Sequence, residues 1–307
     1  MATAFIHHRD CALHDMGSHH PESPARLSSI EDHLLATGLL DHLVEVEAPL
    51  ATREQLLRVH DADYVNAIAA AVPLRGIVHL DPDTAMCPYT QQAALRAAGA
   101  LVKATDMVMA GEVENAFCNV RPPGHHAERH RAMGFCFFNN VAVGAAHALE
   151  VHGLERVAVV DFDVHHGNGT ENIFRDDERV LMVSTFQHPF YPYAGIDGRS
   201  ERMVNIPLAA YSGSNAFREA VDTFWLPALE RFRPQMVFIS AGFDAHRDDE
   251  LAMLGLVEKD FTWVTQRIQD SAAQFAQGRV ASTLEGGYHL TALASSAAAH
   301  LRVLMGL

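Results

Sequence analysis

The stretch that decides the fold is Arg156-Val-Ala-Val-Val-Asp161-Phe-Asp163-Val-His165-His166-Gly-Asn168-Gly169. Its apolar, mostly β-branched part at 157–160 is typical of a strand that is buried on both faces of a parallel sheet, and the closing glycines end that strand. Because side chains alternate along a strand, we expect Asp161, Asp163 and His165 on the same side of it as it ends. The fold is therefore expected to be organised around this strand.

Two carboxylates at the end of a buried strand are costly, because an isolated carboxylate loses its hydration there. A bound cation removes that cost. Asp163 and His165 are therefore predicted to be direct metal ligands, with Asp161 beside or behind them. The alternative interpretation of the same residues is a solvated loop after an ordinary strand, and further polar motifs in the chain favour the metal.

The composition is that of a large α/β protein without a membrane or secretory signature. The chain has 307 residues, 49 % of them hydrophobic, and we expect residues 1–307 to form a single catalytic domain. Four cysteines without a C-x-x-C pair favour a reducing compartment, and the N-terminus lacks the pattern of a signal peptide, so a cytoplasmic location is expected. No apolar run reaches the about 18 to 20 residues of a membrane span, so no membrane partner is expected.

The charge balance indicates which partners to expect. The net charge is −15, from 23 basic and 38 acidic residues. This balance argues against direct binding of nucleic acid and mildly favours cationic substrates. The sequence leaves an oligomeric assembly open.

Strands and helices are predicted to alternate through most of the chain. The predicted strands are 4–8, 43–46, 116–120, 157–160, 180–185, 203–206, 236–241 and 280–284. The predicted helices begin near residue 25 and at a capping box over 52–55, and they cover 64–72, 89–109, 139–152, 171–174, 214–232, 258–278 and 290–305. This order predicts an α/β fold in which a mostly parallel sheet carries helices on both faces and binds ligands beyond the carboxyl ends of its strands.

A third candidate ligand follows another predicted strand. Asp244 ends the motif Ile239-Ser-Ala-Gly-Phe-Asp244, and for this residue alone a helix cap is the alternative interpretation. Together with Asp163 and His165 it gives three nitrogen and oxygen ligands, which describes a catalytic metal site with an open position rather than a closed structural site. Carboxylate and imidazole ligands suit Zn²⁺ or Fe²⁺, so the sequence predicts such a metal centre.

Tandem histidines follow a further strand, in Arg121-Pro-Pro-Gly-His125-His126. Such a pair is usually inert in a surface loop, but here both rings are expected at the carboxyl edge of the sheet. Imidazole, whose pKa is near 7, is suited to act as a base on water next to a metal. Each ring then needs a partner for its second nitrogen, and Asp161 and Asn168 are available.

Aromatic residues complete the predicted site. Tyr288, in Glu285-Gly-Gly-Tyr288 after the last strand, is placed to hydrogen-bond the oxyanion of a tetrahedral intermediate, with ordinary aromatic packing as the alternative. Phe135 follows Gly134 just after the histidines, and Tyr191 lies in a later aromatic loop. Aromatic side chains that flank a polar site predict a narrow apolar sleeve around an aliphatic chain.

These motifs resemble those of the histone deacetylases, most closely the class II branch and its bacterial relatives. The resemblance runs from about residue 19 to the C-terminus and rests on five motifs in the family's order. They are Arg121-Pro-Pro-Gly-His-His126, Gly134-Phe-Cys-Phe-Phe-Asn-Asn140, Asp161-Phe-Asp-Val-His-His-Gly-Asn-Gly-Thr170, Ser240-Ala-Gly-Phe-Asp244 and Glu285-Gly-Gly-Tyr288. The resemblance implies the arginase–deacetylase fold and a zinc-dependent amidohydrolase that acts on acetylated lysine or similar amines.

The resemblance also implies a role for each site residue. One zinc ion per chain would be bound by Asp163, His165 and Asp244. His126 would be the general base and then the general acid, His125 would act electrostatically, and Tyr288 would polarise the acetyl carbonyl. Asp161 and Asn168 would be the partners of the two histidines. The substrate channel would be lined by Gly134, Phe135, Tyr191, Leu251 and Gly287. Arg26 would lie under the site near the acetate exit, and a structural potassium ion would lie near Asp161, Asp163, His165 and Ser184.

Three positions depart from the family pattern. Tyr191 stands where phenylalanine is usual, which predicts a slightly more polar channel. Met86 is aligned with a class I aspartate that grips the peptide backbone, which argues against that grip here. Leu251 replaces the acidic gatekeeper of polyamine-specific relatives, which argues against that specialisation.

Other functions remain as alternatives. A small-molecule or acetylpolyamine deacetylase would use the same site. Asp244-Ala-His-Arg-Asp248 also spells an arginase-like motif, so a two-metal ureohydrolase is an alternative, although Gly167 and Asn168 stand where further bridging carboxylates would be needed. A ligand-binding protein that keeps the fold without catalysis is the non-enzymatic alternative.

Overall fold

The centre of the molecule is a sheet of eight parallel strands. The computed structural model describes residues 2–196 and 200–307, and the strands named here lie in that part of the chain. The described residues contain ten strands, of which eight form this sheet: β1 (Thr3–His7), β2 (Leu43–Glu47), β3 (Val78–Asp81), β4 (Thr84–Met86), β5 (Asn115–Asn119), β6 (Val157–Asp161), β7 (Val180–Gln187), β8 (Met203–Leu208), β9 (Met236–Ala241) and β10 (Val280–Leu284). β3 and β4 form a separate antiparallel hairpin.

The eight-stranded sheet has the order β2-β1-β5-β10-β9-β6-β7-β8, and every neighbouring pair is parallel. All residues of β5, β6, β9 and β10 are buried. Burial on both faces explains why the inner strands are mostly apolar runs without a polar alternation. The mostly parallel α/β fold predicted from the sequence is confirmed.

Helices cover both faces of this sheet. The α-helices of the described residues are α1 (Ala25–Ala36), α2 (Arg53–Leu57), α3 (Ala62–Ala70), α4 (Thr90–Met109), α5 (Asn140–Glu150), α6 (Asn168–Phe174), α7 (Ser214–Ala220), α8 (Leu226–Phe232), α9 (Glu258–Phe275) and α10 (Leu290–Leu304). α4 and α5 pack on each other and on one face of the sheet, whereas α10 packs between α1 and α9 on the other. Among these helices, none combines the length and the hydropathy needed to cross a membrane.

Local sequence signals account for several helix ends, with one interruption that the sequence did not predict. Thr52 and Gln55 form the predicted capping box at the start of α2. The predicted helix over 214–232 is divided, because Val221–Trp225 forms a wider π-helical turn between α7 and α8. Pro227, in the first turn of α8, lacks the N–H of a regular helical bond, and its ring crowds the preceding turn. A π-helical turn at this point accommodates the proline.

The motifs identified in the sequence follow strands that are consecutive in the sheet, in the order β5-β10-β9-β6. Because these strands are parallel, the loops after them meet at one edge of the sheet. The loop after β5 carries the tandem histidines, the loop after β10 carries Tyr288, the loop after β9 carries Asp244, and the loop after β6 carries Asp163 and His165.

Candidate active site

A cavity of about 190 Å³ opens where these loops meet. Seven residues predicted for the site line it, namely His126, Gly134, Phe135, His165, Tyr191, Leu251 and Tyr288. Asp83 and Phe190, which the sequence analysis did not predict, line it as well. The cavity therefore brings together residues that lie far apart along the chain.

Asp163, His165 and Asp244 converge beside this cavity. His165 Nδ1 lies 3.0 Å from Asp163 Oδ1 and 3.2 Å from Asp244 Oδ2, and one potential ligand atom of each residue lies within 4.8 Å of the other two. Both carboxylates are buried, whereas the imidazole is partly exposed to the cavity. Two carboxylates and one imidazole suit Zn²⁺, and three protein ligands leave room for further ligands.

Two glycines leave the space that these carboxylates occupy. A Cβ at Gly286 would stand 2.0 Å from Asp244 Oδ2, and a Cβ at Gly242 would stand 2.0 Å from Asp163 Oδ2. Asp244 Oδ2 is buried, and within the described part of the chain it accepts no hydrogen bond of regular geometry; the 3.2 Å contact with His165 Nδ1 joins it to another candidate ligand. A buried carboxylate oxygen without a donor is unfavourable, and a cation in this cradle would satisfy it. The residues present therefore fit a divalent metal ion.

The tandem histidines each make a hydrogen bond through Nδ1. His125 Nδ1 lies 2.9 Å from Asp161 Oδ2, and His126 Nδ1 lies 2.8 Å from Asn168 Oδ1. Asn168 Nδ2 donates to Glu128 at 2.8 Å, which fixes the orientation of the amide. Carboxylate and amide oxygens only accept, so Nδ1 of each ring carries the proton. A neutral His126 is then left with an unprotonated Nε2, as a general base requires.

The two rings differ in their preferred charge. Burial and the neighbouring imidazoles of His125 and His165 hold the pKa of His126 well below its usual value. Burial acts on His125 in the same direction, but the charges of Asp163 and Asp161 outweigh it and hold the pKa of His125 well above its usual value. The surroundings of the two rings therefore favour different charge states, neutral for His126 and protonated for His125.

Arg26, in α1, supports the loop that carries Tyr288. Its guanidinium lies 5.0 Å from the centre of the Tyr288 ring. Its Nε donates to the Gly287 carbonyl at 2.6 Å, and its Nη2 donates to the Glu285 carbonyl. Burial, followed by the charge of Asp244, raises the pKa of Tyr288 well above its usual value. The phenol therefore stays protonated and is able to donate a hydrogen bond.

Aromatic rings surround the polar groups. Phe135 meets Tyr288 edge to face with 5.9 Å between ring centres, and Tyr191 meets His126 edge to face at 5.3 Å. Phe190 stacks on His165 with 5.5 Å between ring centres. Apolar ring faces next to a few convergent polar groups are typical of a site for a ligand with an aliphatic chain.

The alignment of Met86 with a channel aspartate is wrong. Met86 is fully buried in the hydrophobic core. Asp83, in the turn of the β3–β4 hairpin, lines the cavity instead, and its Oδ1 accepts a hydrogen bond from the Gly134 N–H at 3.1 Å. The cavity therefore carries a carboxylate that the sequence analysis missed. The available signal was the turn sequence Asp81-Pro-Asp83 between two short extended segments.

The arginase-like motif does not supply a second metal position in the described residues. His246 is buried, and its Nδ1 accepts the Asp248 N–H at 3.1 Å. Its Nε2 lies 3.6 Å from Glu258, at the start of α9. His246 is thus engaged away from Asp163 and Asp244, and the two-metal ureohydrolase gains no support.

A second group of potential ligands consists of Asp106, His147 and His152. Asp106 Oδ1 lies 2.8 Å from His147 Nε2 and 2.7 Å from His152 Nε2. Arg58 Nη1 lies 2.8 Å from His147 Nδ1. Because a guanidinium only donates, this Nδ1 is an acceptor and the His147 proton lies on Nε2, facing Asp106. A protonated Nε2 has no lone pair for a metal, so this group is a hydrogen-bonded cluster.

Comparison with known proteins identifies similar chains. The sequence profile of the histone deacetylase domain matches residues 20–304. The histone deacetylase-like amidohydrolase of Pseudomonas aeruginosa is 38 % identical over 310 residues, which covers 93 % of this chain and 81 % of that protein. Human polyamine deacetylase HDAC10 is 36 % identical over 333 residues, which covers 100 % of this chain and 48 % of that protein. The crystal structure of the HDA15 HD domain superimposes with a TM-score of 0.92 at 34 % identity and covers 99 % of this chain and 90 % of that one.

Proposed function

The chain belongs to the histone deacetylase family, and on that premise we propose that it is a zinc-dependent amidohydrolase that removes acetyl or other short acyl groups from lysine side chains or similar amines. The observation that carries the proposal is the convergence of three ligand candidates, two hydrogen-bonded histidines and Tyr288 at one cavity. Metal-assisted hydrolysis of an amide needs these groups and no other cofactor.

The two proposed ions would lie at the carboxyl ends of β6 and of its neighbours in the sheet, β7 and β9. Asp163, His165 and Asp244 would hold the zinc ion, which when bound polarises an amide carbonyl and lowers the pKa of water. A structural potassium ion is proposed near Asp161, Asp163, His165 and Ser184. In support of this second ion, Asp161 and Ser184 are register partners in β6 and β7.

The protein's own residues would bind the substrate and move the proton. The aliphatic part of the substrate would lie between Phe135 and Tyr191, because their rings line the cavity. His126 Nε2 would accept a proton from water and later donate it to the departing amine, while Asn168 keeps Nδ1 protonated. The Tyr288 hydroxyl would donate a hydrogen bond to the carbonyl oxygen as negative charge develops there. Groups of these kinds each lower a barrier by a few kcal/mol.

An acetylated polyamine is a second substrate candidate, because the human relative that matches the whole chain is named a polyamine deacetylase. Leu251 lines the cavity and offers no charge to an ammonium group. Asp83 also lines the cavity and does offer one. We give precedence to acyl-lysine because the acidic gatekeeper expected of polyamine-specific relatives is a leucine here.

Kinetics on a panel of acyl-lysine peptides and acetylated polyamines test this proposal. We expect one zinc ion per chain by elemental analysis and hydrolysis of at least one acyl-lysine substrate. His126→Ala and Tyr288→Phe should lower kcat about 100-fold or more and keep the zinc, because neither residue is a ligand. Zinc-loaded protein that hydrolyses nothing on the panel would refute the activity. A wild-type kcat in either variant would refute the role of that residue.

A further inference from the structure

Asp249 lies where the loop after β9 meets the loop after β10. Its side chain is buried, with 4 % of the residue exposed. Oδ2 accepts the N–H of Tyr288 at 2.6 Å and the N–H of His289 at 3.1 Å, and Oδ1 accepts the N–H of Leu251 at 3.1 Å. One carboxylate therefore binds the backbone of the cavity tyrosine and of a residue in the cavity wall.

The loop before Tyr288 does not fix the direction of that side chain by itself. Gly286 and Gly287 precede it, and Gly287 has a φ of +121°, which other residues rarely adopt. Two consecutive glycines allow many backbone directions. The direction in which the phenol enters the cavity must therefore be set by contacts from outside this segment.

Those contacts come from two opposite partners. Arg26 binds the carbonyls of Glu285 and Gly287, as described above. Asp249 binds the two N–H groups that follow, just before α10 begins at Leu290. His289 is the N-cap residue of α10, and the N–H groups at a helix N-terminus carry a partial positive charge, which makes a carboxylate a favourable partner there. A cation on the carbonyls and an anion on the N–H groups thus fix the loop in one orientation.

We propose that Asp249 is a positioning residue for the reaction. It holds the Tyr288 hydroxyl at the end of the cavity where the acyl carbonyl would bind, and it holds the Leu251 backbone in the cavity wall. This inference rests on the proposed function, since it assigns Asp249 an effect on catalysis through Tyr288. Asp249 itself contacts backbone groups and is not a catalytic residue.

The effect of Asp249 has an upper limit. A displacement of about 1 Å of a catalytic group lowers a rate about 100-fold. A residue that acts only through the Tyr288 hydroxyl is unable to cost more than the loss of that hydroxyl. Asp249→Ala removes all three hydrogen bonds. The isosteric Asp249→Asn keeps one oxygen as an acceptor and replaces the other oxygen by an NH₂ group, which is unable to accept a hydrogen bond from a backbone N–H. We therefore expect kcat to fall about 100-fold in Asp249→Ala and about tenfold in Asp249→Asn.

A double-mutant cycle separates this role from a general structural one. Each Asp249 substitution is made in the wild type and in Tyr288→Phe, and kcat, kcat/KM and zinc content are measured. In the wild type, kcat and kcat/KM should fall together with zinc retained, because an interaction with the transition state is lost. In Tyr288→Phe the same substitutions should cause less than about a twofold further loss. Asp248→Asn is the matched control, because Asp248 is the preceding residue and its side chain is about half exposed. This variant should keep the wild-type kcat.

Hydrogen exchange provides a readout that does not depend on activity. The amides of Tyr288 and His289 should exchange about tenfold faster in Asp249→Asn than in the wild type, because their acceptor is weakened. Losses that add in full in the Tyr288→Phe background, or unchanged exchange at these two amides, would overturn the proposal. A wild-type protein without activity would refute the proposed function, whereas an active protein with additive losses would refute only the role of Asp249. If Asp249→Ala does not fold, Asp249→Asn alone completes the cycle.

Discussion

Replacing Gly286 by alanine should greatly weaken zinc binding at the proposed site without unfolding the protein. The Cβ added at this position would stand 2.0 Å from Asp244 Oδ2 and 2.6 Å from Asp163 Oδ2. Both atoms belong to proposed ligands, and neither is the flexible end of a long side chain. Both carboxylates must therefore move away from the glycine and out of the ligand triad.

The size of this movement follows from the same distances. Ordinary van der Waals contact begins at 3.4 Å, so Asp244 Oδ2 must move by about 1.4 Å. Zinc–ligand distances tolerate deviations of about 0.2 Å. Asp244 would then be lost as a ligand and Asp163 displaced. Loss of a supporting group around a metal already weakens binding about 10- to 100-fold, so we expect at least about a 100-fold weaker affinity, or about 2.8 kcal/mol.

Competition with a chelator, followed by elemental analysis, measures this affinity, and circular dichroism reports whether the variant is folded. Gly242→Ala is an independent second test, because its Cβ would stand 2.0 Å from Asp163 Oδ2. Gly255→Ala is the matched control, since its Cβ meets nothing closer than 3.7 Å. If folded Gly286→Ala binds one zinc ion with the affinity of the control, Asp163, His165 and Asp244 are not the metal site.

Two further substitutions test the surroundings of the site. Glu22 is fully buried; burial raises the pKa of its carboxyl, but the charges of Arg121 and Arg26 outweigh burial and lower that pKa to about 2 from the usual 4.5. Its charged form therefore stabilises the fold above pH 4.5, and this stabilisation is lost as the pH falls toward 2. Glu22→Gln should lower the free energy of unfolding by about 3 to 5 kcal/mol at pH 7 and flatten its dependence on acid pH, measured by urea unfolding; an unchanged midpoint would contradict this. Leu251→Glu should raise kcat/KM for an acetylated polyamine about tenfold relative to an acetyl-lysine peptide, by adding one charge pair, and an unchanged ratio would show that this position does not select the substrate.

The sequence predicted the sheet well because its inner strands are buried on both faces. β9 and β10 begin and end at the predicted residues, since no polar face interrupts their pattern. The neighbour relations were beyond the sequence. The pairing of β10 with β5 depends on packing between segments that are 161 positions apart along the chain, from Asn119 to Val280.

The cavity was predictable only where a residue carries its own chemical signal. Asp163, His165 and Asp244 stand out as polar groups after buried strands. Asp83 lacks such a signal, because no residue of the β3 strand before it is fully buried and the turn residues around it are those of any loop. Asp249 was missed for a related reason, since its partners are backbone N–H groups that no side-chain pattern reveals.

The place of β10 in the sheet has a consequence for synthesis on the ribosome. β10 is the last of the described strands in chain order, yet it joins β2-β1-β5 to β9-β6-β7-β8. Until residues 280–284 leave the exit tunnel, we expect two half-sheets, each with an unpaired inner edge that favours wrong pairing. The cavity is completed only when β10 joins the two half-sheets, because the loop after β10 carries Tyr288. We therefore expect a chain cut before β10 to aggregate and to lack the proposed activity.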